Sequence, residues 1–181
     1  MHGRSPCLPT LPRAPEGPES GPAAASLPDA RDRAAYRFWT RDIVRFQDLD
    51  RLGHVNNVSF AIYLESGRVH FLDTLTPGSV EGTGIGWVIA RLTLDFISIA
   101  YYPADVDIGS RVLRIGRTSC VIGQGLFIGD QCFGTAENVC VWADTNAGQS
   151  RPLPDHVRAA LKGYLVTSEP HVSGDPGPRR E

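Results

Sequence analysis

From residue 36 to 46 the chain is dominated by aromatic and β-branched side chains, Phe38, Trp39, Ile43, Val44 and Phe46, which predicts a strand. A short polar stretch ends in Asn56 and Asn57, either of which suits a helix N-cap. Apolar positions then crowd together at Phe60, Ala61, Tyr63, Leu64, Phe71, Leu72 and Leu75. Their length and spacing predict a helix over 58–75, apolar on more than one stripe and so buried on most sides. Thr76-Pro77-Gly78 stops it. A glycine-rich loop is expected over 80–86. Four β-type runs follow, at 87–101, 106–115, 119–128 and 131–143. The turns Gly116-Arg117 and Gly129-Asp130 join consecutive runs closely, which implies hairpins and an antiparallel sheet. A last helix is expected over 154–165, with Pro154-Asp155 at its start. Strand, long helix, four strands and a short helix make an α+β layer arrangement, with the five-stranded antiparallel sheet curled around the apolar helix.

The chemistry concentrates where the first strand meets the long helix. Asp48 and Asp50 are followed by the turn glycine Gly53 and by His54, Asn56 and Asn57. A helix start offers unpaired N–H groups and positive potential. A carboxylate beside it can attack a carbonyl, or direct water at one, while the N–H groups hold the carbonyl oxygen. Asp50 is the stronger candidate for that work, and Asp48 suits a turn. His54 is placed to orient Asp50 or water. Ser59, Ser66 and Ser119 have no Gly-x-Ser-x-Gly setting, which disfavours a serine nucleophile. Gly82, Gly84 and Gly86 lack the strand–glycine–helix context of a phosphate loop.

The stretch Asp48-Leu49-Asp50-Arg51-Leu52-Gly53-His54-Val55-Asn56-Asn57, together with Tyr102-Pro103-Ala104, Gly109, and Arg114 to Ser119, resembles the 4-hydroxybenzoyl-CoA thioesterase branch of the hotdog-fold superfamily. The resemblance covers about residues 36–165. It implies hydrolysis of acyl-CoA or acyl-carrier-protein thioesters, with Asp50 as the catalytic carboxylate and the backbone N–H near Asn57 as the oxyanion contact. It further implies substrate contacts from Gly53, Asn56, Phe60 and Tyr63. Arg91, Arg114 and Arg117 are candidates for the CoA phosphates, and Arg91 and Arg117 are carried forward, because guanidinium suits phosphate oxygens. Glu65 is the runner-up acid, since a related branch uses a helix carboxylate; its other role is an i,i+3 pair with Arg68. Hotdog relatives dimerise with active sites between subunits, so a homodimer or homotetramer is expected. No cofactor is needed, because coenzyme A is part of the substrate, and no metal is expected. A hotdog dehydratase or hydratase, and a non-catalytic acyl-CoA-binding protein, are the competing functions; fold alone does not separate them.

Composition narrows this picture in three ways. The 181 residues are 41% hydrophobic with a net charge of -2, which fits one domain and gives no electrostatic case for nucleic acid. Half of the 14 prolines fall in residues 1–35, so 1–35 and 168–181 are expected to be disordered tails around a domain at 36–167. Cys7, Cys120, Cys132 and Cys140 form no Cys-x-x-Cys pair, and they read as reduced, largely packing residues in a cytoplasmic protein. No apolar run is long enough to span a bilayer.

Overall fold

The computed structural model describes residues 27–77 and 83–166. Its elements are β1 (Phe38–Ile43), α1 (Asn57–Leu75), β2 (Ile85–Phe96), β3 (Asp105–Ile115), β4 (Ser119–Ile128), β5 (Gln131–Asp144), β6 (Gln149–Ser150) and α2 (Asp155–Lys162). The five long strands form an antiparallel sheet in the order β1-β3-β4-β5-β2, and two-residue β6 adds to β5. The sheet curls so that α1 packs against β1, β2, β3 and β4. This is the curled α+β layout expected from the order of elements, and the hotdog fold that the resemblance implies. No helix among the described residues is long and apolar enough to cross a membrane.

The apolar periodicity of α1 sets its seat. Phe60, Tyr63, Leu64, Gly67, Arg68, Phe71 and Leu72 recur at helical spacing and are buried. The first half of α1 packs with Val44, Val55, Ile108, Leu126 and Phe133. The second half packs with Val112, Ile122, Trp142, and Val157 and Leu161 of α2. Contrary to the expectation of burial on most sides, Val58, Ile62 and Val69 remain exposed on the opposite stripe. Val88, Ile89, Leu92 and Phe96 of edge strand β2 are exposed as well.

At Gly67 the helix lies close against the sheet. A Cβ there would lie 2.5 Å from Ile108 Cγ2 and 3.1 Å from Gln124 Nε2. Gly67→Ala is therefore expected to destabilise the fold by about 1–3 kcal/mol through overpacking. Alanine's better helix propensity, worth about 1 kcal/mol, opposes this and is outweighed. Urea unfolding reads the difference, and an unchanged or raised midpoint would contradict the packing described.

Element ends differ from the sequence pattern where side chains intervene. β1 stops at Ile43 rather than residue 46, because Asp48 Oδ2 accepts the Arg45 N–H at 2.7 Å and winds Phe46–Asp48 into a 3-10 turn. β2 covers Ile85–Phe96 rather than 87–101: Ile97 and Ser98 both donate to Phe133 O, and the chain leaves the sheet. The expected 80–86 loop overlaps β2 at Ile85 and Gly86, and residues 78–82 lie outside the described residues. Residues before 36 also contact the sheet. Arg33 pairs with Asp107 at 3.0 Å, Tyr36 Oη donates to Ala30 O, and Arg111 Nη1 donates to Pro28 O. These contacts pin residues 28–36 across the outer face of the sheet despite their tail-like composition. Residues 1–26 and 167–181, the bulk of the expected tails, lie outside the described residues.

Candidate active site

The loop between β1 and α1 closes on itself through Asp50. The Asp50 N–H donates to His54 O at 2.8 Å, and the Gly53 N–H returns to Asp50 O at 3.1 Å. Asp50 Oδ1 accepts from the Leu52 N–H at 2.7 Å and the His54 N–H at 3.2 Å. Gly53 has φ +79°, a conformation that glycine adopts at little cost and that this tight reversal requires. The half-buried carboxylate is thus oriented by one oxygen. Its second oxygen has no hydrogen-bond partner among the described residues.

The start of α1 supplies the complementary group. Asn56 is the N-cap, its Oδ1 accepting the Val58 N–H at 3.0 Å, and its carbonyl accepts the Ser59 N–H. The Asn57 N–H, one of the donors that a helix start leaves without an intrahelical partner, is free among the described residues. Asp50 and Asn57 both line one cavity of about 290 Å³. Its remaining walls are His54, Val55, Phe60 and residues 96–99. The Phe60 ring is wedged between Phe96 and Phe133, with centroids 5.0 and 5.1 Å away. Asp50, with one unpartnered carboxylate oxygen, and Asn57, with an unpartnered helix-start N–H, therefore line one partly apolar space.

Asp48 does different work from Asp50. It is buried, and its Oδ2 accepts both the Tyr63 hydroxyl at 2.6 Å and the Arg45 N–H. Its carbonyl accepts the Asn56 N–H and the Ser59 hydroxyl, which fastens the loop to the helix start. Burial, then the bond to Asp48, pushes the Tyr63 hydroxyl well above its ordinary pKa, so it stays a neutral donor. Tyr63→Phe leaves a buried Asp48 oxygen short of one partner and is expected to cost about 1–3 kcal/mol. A chemical-denaturation curve superimposable on wild type would refute that role.

Of the residues singled out from the sequence, the cavity gathers Asp50, His54, Asn57 and Phe60. His54 meets Asp50 through its backbone, while its ring packs edge-on against Tyr101 with centroids 5.3 Å apart. Gly53 and Asn56 shape the loop and cap rather than line the space. Tyr63 points into the core, away from the cavity. Arg91 is exposed beside the irregularity in the β2–β5 pairing, and Arg117 is exposed in the β3–β4 turn; neither lines the cavity in this chain. Glu65 is largely exposed, 3.8 Å from Arg68, and borders a second cavity of about 370 Å³ between α1 and β2. Phe96, Ile97, Ser98 and Ile99 were not marked by the sequence, because their β-type composition reads as more strand. No group of three or more His, Cys, Asp or Glu suited to a metal occurs among the described residues.

Comparison with known proteins bears on this loop. The model of the Thioesterase-like superfamily matches residues 44–161, spanning Asp50, the helix start and four of the five long strands. The chain belongs to the Thioesterase-like superfamily. It is 26% identical over 143 residues to uncharacterized protein YsmA of Bacillus subtilis (strain 168), covering 77% of this chain and 95% of the relative. It is 28% identical over 120 residues to the chloroplastic acyl-acyl carrier protein thioesterase ATL2 of Arabidopsis thaliana, covering 64% and 63%. Among solved structures, a Thermus thermophilus thioesterase complexed with coenzyme A and Zn matches with TM-score 0.62 at 29% identity. That match covers 70% of this chain and 92% of the other.

Proposed function

We propose that the protein is an acyl-CoA thioesterase that works at the Asp50–Asn57 cavity. Superfamily membership and fold support thioester hydrolysis. The observation that carries the finer reading is that Asp50 and Asn57, each with a polar group that has no partner among the described residues (a carboxylate oxygen and a helix-start N–H), line one space. A thioester asks for little more. Its leaving group is a thiol, with a pKa of about 8.5 on the cysteine scale, so it departs as thiolate without strong acid assistance. Asp50 either attacks the acyl carbon, giving a mixed anhydride that water opens, or takes a proton from the attacking water. In both routes the Asn57 N–H holds the oxyanion. His54 and Phe60 complete the wall that orients the acyl group.

CoA is the favoured carrier because a similar thioesterase is complexed with coenzyme A, although a carrier-protein thioesterase is also a relative. A panel of acyl-CoAs and acyl-carrier proteins with thiol detection tests the choice. Release of CoA thiol from acyl-CoA, with weaker turnover of the carrier-protein thioester, is expected. Turnover of the carrier-protein substrate alone would move the assignment to that carrier, and hydration of an enoyl-CoA without thiol release would overturn it.

A second copy of the chain completes the site. Phe96 both lines the cavity and is exposed on β2 with Ile89 and Leu92, while Val58, Ile62 and Val69 are exposed on α1. Among the described residues β2 is an unpaired sheet edge, and an apolar edge is the kind of surface that proteins cover. Light scattering at micromolar concentration is expected to show a dimer or a tetramer of paired dimers. A monomer would remove the shared wall.

A further inference from the structure

Three segments of the chain converge beside the middle of β3. The pairing of β3 with β1 ends at Ser110, opposite Phe38. From Val112 onward a later segment takes over that edge: the Val112 N–H donates to Tyr164 O and the Val166 N–H donates to Val112 O, both at 2.9 Å. Arg111, between the two pairings, meets residues 28–36 on the outer face. Its Nη1 donates to Pro28 O at 2.8 Å, and its guanidinium lies 5.1 Å from the centre of the Tyr36 ring. A cavity of about 220 Å³ opens at this junction, with Arg37, Arg111, Pro28, Tyr164 and Val166 in its wall. No Asp or Glu among the described residues lines it.

The charge of Arg111 is left over. The residue is 5% exposed, and it has no ion-pair partner among the described residues. Its buried Nε has no hydrogen-bond partner there. Two other arginines show how this protein otherwise settles such a group. Arg68, also buried, has Asn138 Oδ1 and the Glu65 carboxylate. Arg33, on the same outer face as Arg111, stacks on Trp39 and Phe127, donates to Gly129 O and pairs with Asp107 at 3.0 Å. Arg111 repeats the ring and carbonyl contacts of Arg33 without the acid. A buried cation without a counter-charge is costly. Asp95 and Glu137 line a neighbouring cavity that Arg111 also borders, and neither makes an ion pair with it.

We propose that the Arg37–Arg111 cavity binds a phosphate-type oxyanion, either the free ion or the phosphoryl group of a small molecule. Two guanidinium groups on a wall without acids suit a doubly charged oxyanion better than a single carboxylate, because each offers a fork of N–H donors that matches phosphate oxygens. Arg37 is exposed, so its side chain can close on an anion without repacking the fold. The site lies on the outer face at β3, which β4 and β5 separate from the β2 edge that a second copy covers. It does not depend on the hydrolase reading.

The test titrates the full-length protein, in chloride buffer, with inorganic phosphate, phenyl phosphate and acetate by calorimetry. Binding is read directly, because phosphate also raises unfolding temperatures without a site. Saturable binding of phosphate, one per chain, is expected, with acetate much weaker. Phenyl phosphate bound as tightly assigns the phosphoryl group of a larger molecule, and inorganic phosphate bound alone assigns the free ion. Arg37→Gln is expected to weaken binding by about 10-fold or more, the loss of one charged contact, with the fold intact. Arg111→Gln is expected to abolish binding. Because Arg111 also holds Pro28, circular dichroism checks that variant, and Arg37→Gln decides the question if it misfolds. No saturable binding by the wild-type protein, acetate bound as tightly as phosphate, or phosphate affinity unchanged in Arg37→Gln would overturn the proposal.

Discussion

Asp50→Asn is expected to lower kcat/KM for acyl-CoA hydrolysis by about 10²–10⁴, the range for loss of a positioned general base. The substitution is chosen because Asp50 has two tasks. One carboxylate oxygen closes the loop by accepting the Leu52 and His54 N–H groups, and the other has no hydrogen-bond partner among the described residues in a side chain that lines the cavity. An asparagine keeps an acceptor for the two loop bonds and removes the charged oxygen from the acyl site. Secondary structure and unfolding midpoint should therefore stay near wild type while turnover falls. Asp50→Ala removes both functions, so its loss of activity would be joined by some loss of stability. Near wild-type turnover in a folded Asp50→Asn protein would take Asp50 out of the mechanism. Single-turnover hydrolysis in ¹⁸O water then bears on the route. Label in the Asp50 carboxylate marks attack by Asp50 with the anhydride opened at the aspartyl carbon; label only in the released acid is produced by activated water and equally by opening at the substrate's acyl carbon, and trapping of an Asp50 hydroxamate with hydroxylamine separates those two.

The largest effect on stability is expected at Asn138, far from that chemistry. Arg68 is buried in α1, with 7% of its surface exposed, and its Nη1 donates to Asn138 Oδ1 at 3.0 Å. Asn138 Nδ2 donates to Gln124 Oε1 at 2.8 Å, and Gln124 Nε2 donates to Ser110 Oγ at 3.3 Å. The chain of bonds crosses β5, β4 and β3 under the helix and lets a guanidinium sit inside an otherwise apolar layer. Glu65, the nearest carboxylate at 3.8 Å, is itself largely in water and compensates little. Asn138→Leu leaves the Arg68 charge and the Gln124 carbonyl without their partners at once. The expected loss is about 3 kcal/mol or more, since each orphaned buried group costs about 1–3 kcal/mol and a charged one more. Asn138→Asp keeps an acceptor toward Arg68 and should lose less. Urea unfolding followed by tryptophan fluorescence measures both. A loss below about 1 kcal/mol for Asn138→Leu would mean that Arg68 finds other solvation.

The parts of this protein that local chemistry controls were legible in its sequence. The strand, helix and hairpin order follows from apolar spacing and from the turn glycines at 116 and 129. The Asp50 loop was legible because an acid, a glycine and two asparagines just before an apolar helix have a local physical meaning, turn and cap. What depends on distant partners was hidden. Arg68 and Asn138 are 70 positions apart, and nothing near either one announces the other. Tyr63 reads equally well as a wall of a pocket or as a core residue, and its bond to Asp48 decides for the core. Arg91 and Arg117 were selected for charge type, which carries no information on location. Phe96 to Ile99 read as continuing strand, since the sharing of Phe133 O that ends β2 is set from across the sheet.

A crystal structure of Asp50→Asn with an unhydrolysed acyl-CoA measures the site most directly. The acyl carbon should lie about 3–3.5 Å from the residue-50 side chain, with the carbonyl oxygen on the Asn57 N–H and Phe60 and Phe96 flanking the acyl group. An acyl group seated instead in the cavity beside Glu65, beyond reach of residue 50 and the start of α1, would contradict the account.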